Sequence, residues 1–204
     1  TTTQRTRPVQ VQGLSGVAEV ALGANHSCAR KTDGSLWCWG SNSTGQLGGK
    51  GSGTNRPLPI LVTAVPCTAR DAVCNIHERF DTSPDDCRAA SCGNRRCDGA
   101  ETPVSCPADC PAFEFARTLG THSCARRTDG SFVCWGDNAY GQLGDASTTQ
   151  RTVPVQVQGL SGAAEMVLSA KRSCARKTDG SLWCWGNNTY GELGDGSTTN
   201  RTAP

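Results

Sequence analysis

Val9, Gln10, Val11 and Gln12 alternate apolar and polar, and Val155, Gln156, Val157 and Gln158 repeat the alternation. A period of two sends successive side chains to opposite faces, so each segment is expected to be a half-buried strand. Further along, two short runs flank Thr32, Asp33 and Gly34 and end in Cys28 and Cys38. Gly34 can take the left-handed conformation that closes a three-residue hairpin loop, a type I turn followed by a bulge. That closure sets Lys31 opposite Ser35, Arg30 opposite Leu36, Ala29 opposite Trp37 and Cys28 opposite Cys38. Ala29, Trp37 and Trp39 then share one face, with Cys28, Cys38 and Leu36 on the other. Counted from a hydrogen-bonded Lys31 and Ser35 pair, the cysteines fall on a non-hydrogen-bonded site, where Cα atoms approach to about 4.5 Å and a cross-strand disulfide fits. A two-residue Asp-Gly turn would shift the register by one and leave the cysteines diagonal.

The pattern is periodic. Residues 28–40 return at 174–186 without change and at 124–136 with Arg127, Phe132 and Val133 as the differences. Gly45, Gln46, Leu47 and Gly48 recur at 141–144, and at 191–194 with Glu192 for the glutamine. Cys174 follows Cys124 by 50 residues, which sets the repeat length, while Cys124 follows Cys28 by 96. The excess of 46 is the length of the segment from Pro66 to Pro111, which holds all seven remaining cysteines and only two of the 24 glycines. The chain therefore divides into 1–65, the first repeat and the start of the second; 66–111, a cysteine-rich insertion; and 112–204, the second and third repeats. Because ten residues separate the cysteines in all three repeats, the bulged hairpin is favoured throughout, and Cys28 with Cys38, Cys124 with Cys134, and Cys174 with Cys184 are expected as disulfides.

Composition narrows the class. With 36% hydrophobic and 5% aromatic residues among 204, and abundant glycine, the chain suits many short strands and tight turns and disfavours a helix bundle. A net charge of +2 gives no electrostatic footprint for nucleic acid, and no apolar stretch approaches the roughly 18 to 20 residues of a membrane helix. Thirteen cysteines point to an oxidising compartment, secreted or at the cell surface.

The stretch from His26 through Cys28, Asp33, Gly34, Trp39, Gly40, Asn42 and Gly45 to Gly48 resembles the repeat of the regulator of chromosome condensation family, with its histidine, Asp-Gly turn, Trp-Gly-x-Asn and Gly-Gln-Leu-Gly. The resemblance spans the three repeats and implies an all-β chain of β-propeller blades, incomplete or part of a larger array, with a small disulfide-rich insertion. The cysteine pair in each hairpin is similar to secreted bacterial members of the family. Nothing in the residues carries over the nucleotide-exchange activity of nuclear members. Within the insertion, Cys92, Gly93, Asn94, Cys97, Asp98, Gly99 and Glu101, followed by Cys106, Asp109 and Cys110, resemble short cysteine-rich repeats of myxobacterial surface proteins and, faintly, Notch-type calcium modules.

Several residues invite chemistry. Asn94, Asp98, Glu101 and Asp109 offer hard oxygen ligands for calcium, set against the plain reading that they solvate a small module with little core. Five arginines against eight acidic residues give the insertion a charge of −3, so a cation would prefer it to the rest of the chain. The spacing of Cys92, Cys97, Cys106 and Cys110 lacks zinc knuckles. One of Cys67, Cys74, Cys87, Cys92, Cys97, Cys106 and Cys110 must be unpaired or bridged to another chain, since seven cysteines cannot close pairwise. His26 and His122 are expected at the repeat surface, because Arg172 stands at the third equivalent position, and His77 stands alone. Asp145 and Asp195 read as polar turn residues, and Asn25, Asn42, Asn187 and Asn200 open glycosylation sequons.

No nucleophile elbow, phosphate loop or histidine pair of metal-binding type is present, so a non-catalytic role is expected, without cofactor unless calcium. The leading expectation is a binding scaffold for a protein or glycan partner, with neither nucleic acid nor a membrane span. The alternatives are a structural subunit that associates with further copies of itself by strand exchange or intermolecular disulfide, and a secreted enzyme inhibitor. Three repeats fall short of the four to eight blades of closed propellers, so completion by further repeats or by neighbouring subunits is expected.

Overall fold

The computed structural model describes residues 9–49, 51–62 and 113–204. Within them the chain forms three antiparallel sheets and no helix. The first blade contains β1 (Val17–Leu22), β2 (His26–Lys31), β3 (Leu36–Gly40) and β4 (Arg56–Leu61), side by side in that order. The second contains β5 (Phe113–Leu119), β6 (His122–Arg127), β7 (Phe132–Gly136) and β8 (Arg151–Gln156). The third contains β9 (Ala163–Leu168), β10 (Arg172–Lys177) and β11 (Leu182–Gly186), and a bridge from Gly186 to Arg201 lies beside β11. Each blade is a meander whose central hairpin is the repeated Asp-Gly unit.

The hairpin has the bulged form. In the first blade the Lys31 amide donates to the Ser35 carbonyl at 2.9 Å and the Gly34 amide to the Lys31 carbonyl at 3.0 Å. Gly34 has φ of 81°, a region open to glycine at little cost. The Asp33 carboxylate fixes the turn by accepting from the Ser35 amide at 2.9 Å and from its hydroxyl at 2.6 Å. In all three blades the paired cysteines face each other across the ladder, with Cα atoms 4.1 Å apart, and are joined as disulfides.

Two strand assignments made from alternation alone need correction. Residues 9–12 are exposed and outside any strand, and β8 begins at Arg151 and ends at Gln156, short of Val157 and Gln158. The reason is pairing: β8 forms along β7, through Cys134 with Val155 and Val133 with Gln156, whereas residues 9–12 have no strand beside them among the described residues. A period of two describes a strand's faces and does not supply its partner.

The core lies between blades. Cys28, Cys38, Leu36, Leu47 and Val62 of the first blade pack on Phe113, Ala116, Ala125, Val133 and Trp135 of the second. The arrangement repeats one blade on, with Cys124, Cys134, Phe132, Leu143 and Val157 against Ala163, Met166, Ala175 and Trp185. The disulfides of the first two blades thus face the tryptophan of the next blade, and the two faces assigned from the hairpin register are the two sides of this contact. Between β4 and β5 lies the cysteine-rich insertion, within 63–112 and outside the described residues, as do His77, Asn94, Asp98, Glu101, Asp109 and the seven further cysteines.

Candidate functional site

The polar residues that the repeat carries converge on the contacts between blades. In the first, the His26 Nε2 lies 2.9 Å from the Ser123 Oγ, which donates to the Gln46 carbonyl at 3.1 Å; the Trp135 Nε1 donates to the same carbonyl at 2.9 Å. In the second, the His122 Nε2 lies 3.0 Å from the Ser173 Oγ, which donates to the Gln142 carbonyl at 2.8 Å, joined by the Trp185 Nε1 at 3.0 Å. A serine hydroxyl has one proton, and here it points at the carbonyl. The imidazole must therefore donate from Nε2, which leaves each Nδ1 as a buried atom without a hydrogen-bond partner. Burial pushes both histidines down from 6.5 to about 4, so both are neutral at physiological pH.

This geometry corrects the expectation that His26 and His122 lie on the surface: both are buried. Their serine partners, 97 and 51 residues away in sequence, sit one blade on. A histidine within reach of a serine has the composition of a base and nucleophile. Here the serine proton is directed away from the imidazole and Ser123 and Ser173 are fully buried, so the set works as a joint. Sequence reasoning missed Ser123, Ser173, Gln46, Gln142, Trp135 and Trp185; the available signal was that His-Ser-Cys and Gly-Gln-Leu-Gly recur together.

The Gly-Gln-Leu-Gly unit follows from the same joint. Its glutamine presents the accepting carbonyl, and its leucine, Leu47 or Leu143, is fully buried in the interblade core. Gly144 has φ of 72°, and a Cβ there would lie 2.7 Å from the Trp185 Nε1. No side chain fits between this turn and the next blade.

The third copy differs at both polar positions. Arg172 replaces the histidine, Glu192 replaces the glutamine, and the two form an ion pair at 2.6 Å. They border a shallow depression lined also by Ser169, Ala170, Lys171 and Asn187.

The polar loops at the blade edges hold themselves by internal hydrogen bonds. Asp145 accepts from the Ser147 hydroxyl at 2.8 Å, the Arg151 Nε at 2.8 Å and the Asn138 Nδ2 at 3.0 Å. Burial alone would raise its pKa, but these donors hold the carboxyl below the usual range. Asp195, bonded by Ser197, Arg201 and Asn188, is likewise held low. No cluster of three metal-ligating side chains occurs among the described residues. Two of the sequon asparagines, Asn42 and Asn187, are buried, and Asn42 bonds its own loop through the Leu47 amide and the Gly51 carbonyl. Among the described residues no helix is long and apolar enough to cross a membrane.

Residues 17–46, 33–74, 129–174 and 167–192 match the regulator of chromosome condensation (RCC1) repeat. The chain belongs to the RCC1 repeat family. The RCC1 domain-containing protein RUG3, mitochondrial, of Arabidopsis thaliana is 28% identical over 156 residues, covering 76% of this chain and 25% of RUG3. The human E3 ubiquitin-protein ligase HERC2 is 30% identical over 169 residues, 76% of this chain and 4% of HERC2. The chain thus spans a quarter or less of these relatives. Among solved structures, Prp20p from Saccharomyces cerevisiae superposes with a TM-score of 0.65 at 17% identity, over 94% of this chain and 38% of that one. Yeast RCC1 (Prp20) in a structure with Kap60 gives 0.63 at 17% identity, over 94% and 37%. These likenesses show the propeller-blade fold, and the joints described above are where the RCC1 repeat's motif residues go.

Proposed function

We propose that this RCC1 repeat chain is a non-catalytic interaction scaffold that works in an oxidising compartment, secreted or at the cell surface, and presents its edge loops to a protein or glycan partner. One observation carries the reading: His26, His122, Ser123, Ser173 and the Gly-Gln-Leu-Gly carbonyls are engaged in holding blades together. What varies between repeats is the loops, where Ser43 and Thr44 become Ala139 and Tyr140, then Thr189 and Tyr190. A frame fixed by repeated joints with changeable loops suits recognition. Among solved neighbours, yeast RCC1 (Prp20) is bound to Kap60, and Prp20p has binding properties to Gsp1p and histones, which supports a protein partner here. The three disulfides, two of them packed in the contacts between blades, support the oxidising setting.

The test is a binding screen of the oxidised chain against a glycan array and a panel of secreted proteins, repeated with a Tyr140→Ala, Tyr190→Ala double variant and with loop 145–150 replaced by glycine and serine. Saturable binding that these loop changes weaken at least tenfold supports the proposal. Binding unaffected by every loop change, or turnover of a bound ligand, overturns it.

A further inference from the structure

Each joint shares one residue with the exposed loop beside it. Gln46 gives its backbone carbonyl to Ser123 and Trp135 of the next blade, while its side-chain Oε1 accepts from the Thr44 amide at 2.9 Å. Gln142 does the same one blade on: its carbonyl accepts from Ser173 and Trp185, and its Oε1 accepts from the Tyr140 amide at 2.9 Å. Both glutamines are buried, whereas Ser43 and Ala139, next to the held amides, are exposed. The loop tips also lean across the joints. The Thr44 Oγ1 lies 3.0 Å from the Thr121 carbonyl, and the Lys171 Nζ donates to the Tyr140 hydroxyl at 3.2 Å. Hydrogen bonds thus run without a gap from His26 through Ser123 and Gln46 to Thr44, and from His122 through Ser173 and Gln142 to Tyr140.

We propose that these two chains of hydrogen bonds are acid-operated latches, in which protonation of the joint histidine opens the joint and frees the tip of the edge loop. As a regulator of partner binding, the latch rests on the function proposed above, which makes the edge loops the recognition surface. The Nε2 proton of each imidazole is committed to a serine, so a second proton, taken from solvent, must go to Nδ1, a buried atom with no hydrogen-bond partner. The closed joint then holds a desolvated cation and an unpaired donor, and opening gives both to water. Neighbouring charges do not reverse this. Burial dominates at His122; the Asp137 carboxylate of its own loop favours the cation and His26 of the first blade opposes it. Asp137 already accepts from the Thr121 hydroxyl and the Gln142 Nε2, both at 3.1 Å. On the third blade, Lys171 and Arg172, which precede Ser173, are engaged with Tyr140 and Glu192. At His26 burial alone acts. The third repeat is an internal control: Glu192 holds the Tyr190 amide at 2.8 Å as the glutamines hold theirs, but Arg172, whose guanidinium has no site for a further proton, replaces the histidine.

The experiment is amide hydrogen exchange read by NMR on the oxidised chain at pH 7.5 and pH 5, with each rate corrected for intrinsic exchange at that pH. It uses no partner, so its outcome is separate from whether the loops recognise one. The amides are those of Thr44 and Leu47, of Tyr140 and Leu143, and of Tyr190 and Leu193. For a local opening that hydrates one histidine, the change from about 4 in the joint to 6.5 in water lowers protection by about 30-fold at pH 5. The expected result is that loss in the first two loops, no comparable loss in the third, and loop amides less protected than those of the hairpins at both pH values. His26→Gln should abolish the loss at Thr44 and Leu47 and spare it at Tyr140 and Leu143; His122→Gln should do the reverse, so the untouched loop reports that each variant is folded. The comparison of the three loops in the unaltered chain stands even where a variant fails to fold. Protection unchanged with pH in either of the first two loops, or an equal loss in the third, overturns the proposal. So does a loss that survives replacement of the loop's own histidine, or loop amides that match the hairpin amides at both pH values, as when the loops open only with the whole chain.

Discussion

Acidification should loosen the blades well before the carboxylates are protonated. His26 and His122 are neutral in the folded chain, with pKa lowered to about 4 by burial, and return to 6.5 on unfolding. Between those values the unfolded chain binds more protons than the folded one, so stability rises with pH across the window and falls as pH drops from about 6.5 towards 4. At pH 5, one and a half units below the unfolded value, each histidine removes about 2 kcal/mol, or about 4 kcal/mol for both. Asp33, Asp129, Asp145, Asp179, Glu192 and Asp195 act in the opposite part of the range. Their folded pKa values lie below the ordinary carboxylate values, so their contribution is present above about pH 4 and is lost further down. The measurement is urea unfolding at pH 7.5 and pH 5. A His26→Gln, His122→Gln variant should be less stable at pH 7.5 yet nearly flat between the two pH values. Equal stability of the unaltered chain at both, or a loss that persists undiminished in the double variant, refutes the account of the joint.

Trp135→Ala empties the first joint of a fully buried ring and should cost about 3 to 5 kcal/mol by urea unfolding; Trp37→Ala, half-buried on the outer face, should cost less. Gly144→Ala sets a Cβ 2.7 Å from the Trp185 Nε1 and should destabilise more than Gly159→Ala, which has a similar positive φ of 66° but open space around it. Removing Cys124 and Cys134 together should lower stability by somewhat less than the roughly 3 kcal/mol of a 15-residue loop, because only ten residues separate them, as read by thermal unfolding with and without reductant. Calorimetric titration decides between the two readings of Asn94, Asp98, Glu101 and Asp109: calcium uptake that is lost in an Asp98→Asn, Asp109→Asn variant supports a calcium site, and no uptake, together with unchanged melting in chelator, leaves those residues a purely solvating role.

The fold was legible where its determinants are local. The Asp-Gly turn and the ten-residue cysteine separation fix the hairpin register, and the register fixes which side chains share a face, so Leu36 and Trp39 fall on opposite sides of the blade before any coordinate is known. Repetition at 50 residues then gives the blades. What was not legible depends on partners distant in sequence. His26 looked like a surface residue because Arg172 occupies its place in the third repeat. The structure shows the difference: His26 and His122 face a following blade, whereas Arg172 meets no following blade among the described residues and pairs with Glu192. Residues 9–12 alternate as well as any strand in the chain, yet among the described residues no hairpin lies beside them of the kind that lets β8 form. Asn42 carries a sequon, and only the fold reveals that its side chain braces the loop that delivers Gln46 to the joint.

The central claim is that the repeated histidine and serine hold blades together, with the serine proton on a backbone carbonyl and the imidazole proton on Nε2. Long-range nitrogen-detected NMR of the imidazole rings, assigned with single His→Gln variants, reads both tautomer and titration. The account predicts the Nε2–H tautomer for His26 and His122 and pKa values near 4 for both. An Nδ1–H tautomer, or titration near the ordinary 6.5, would contradict it.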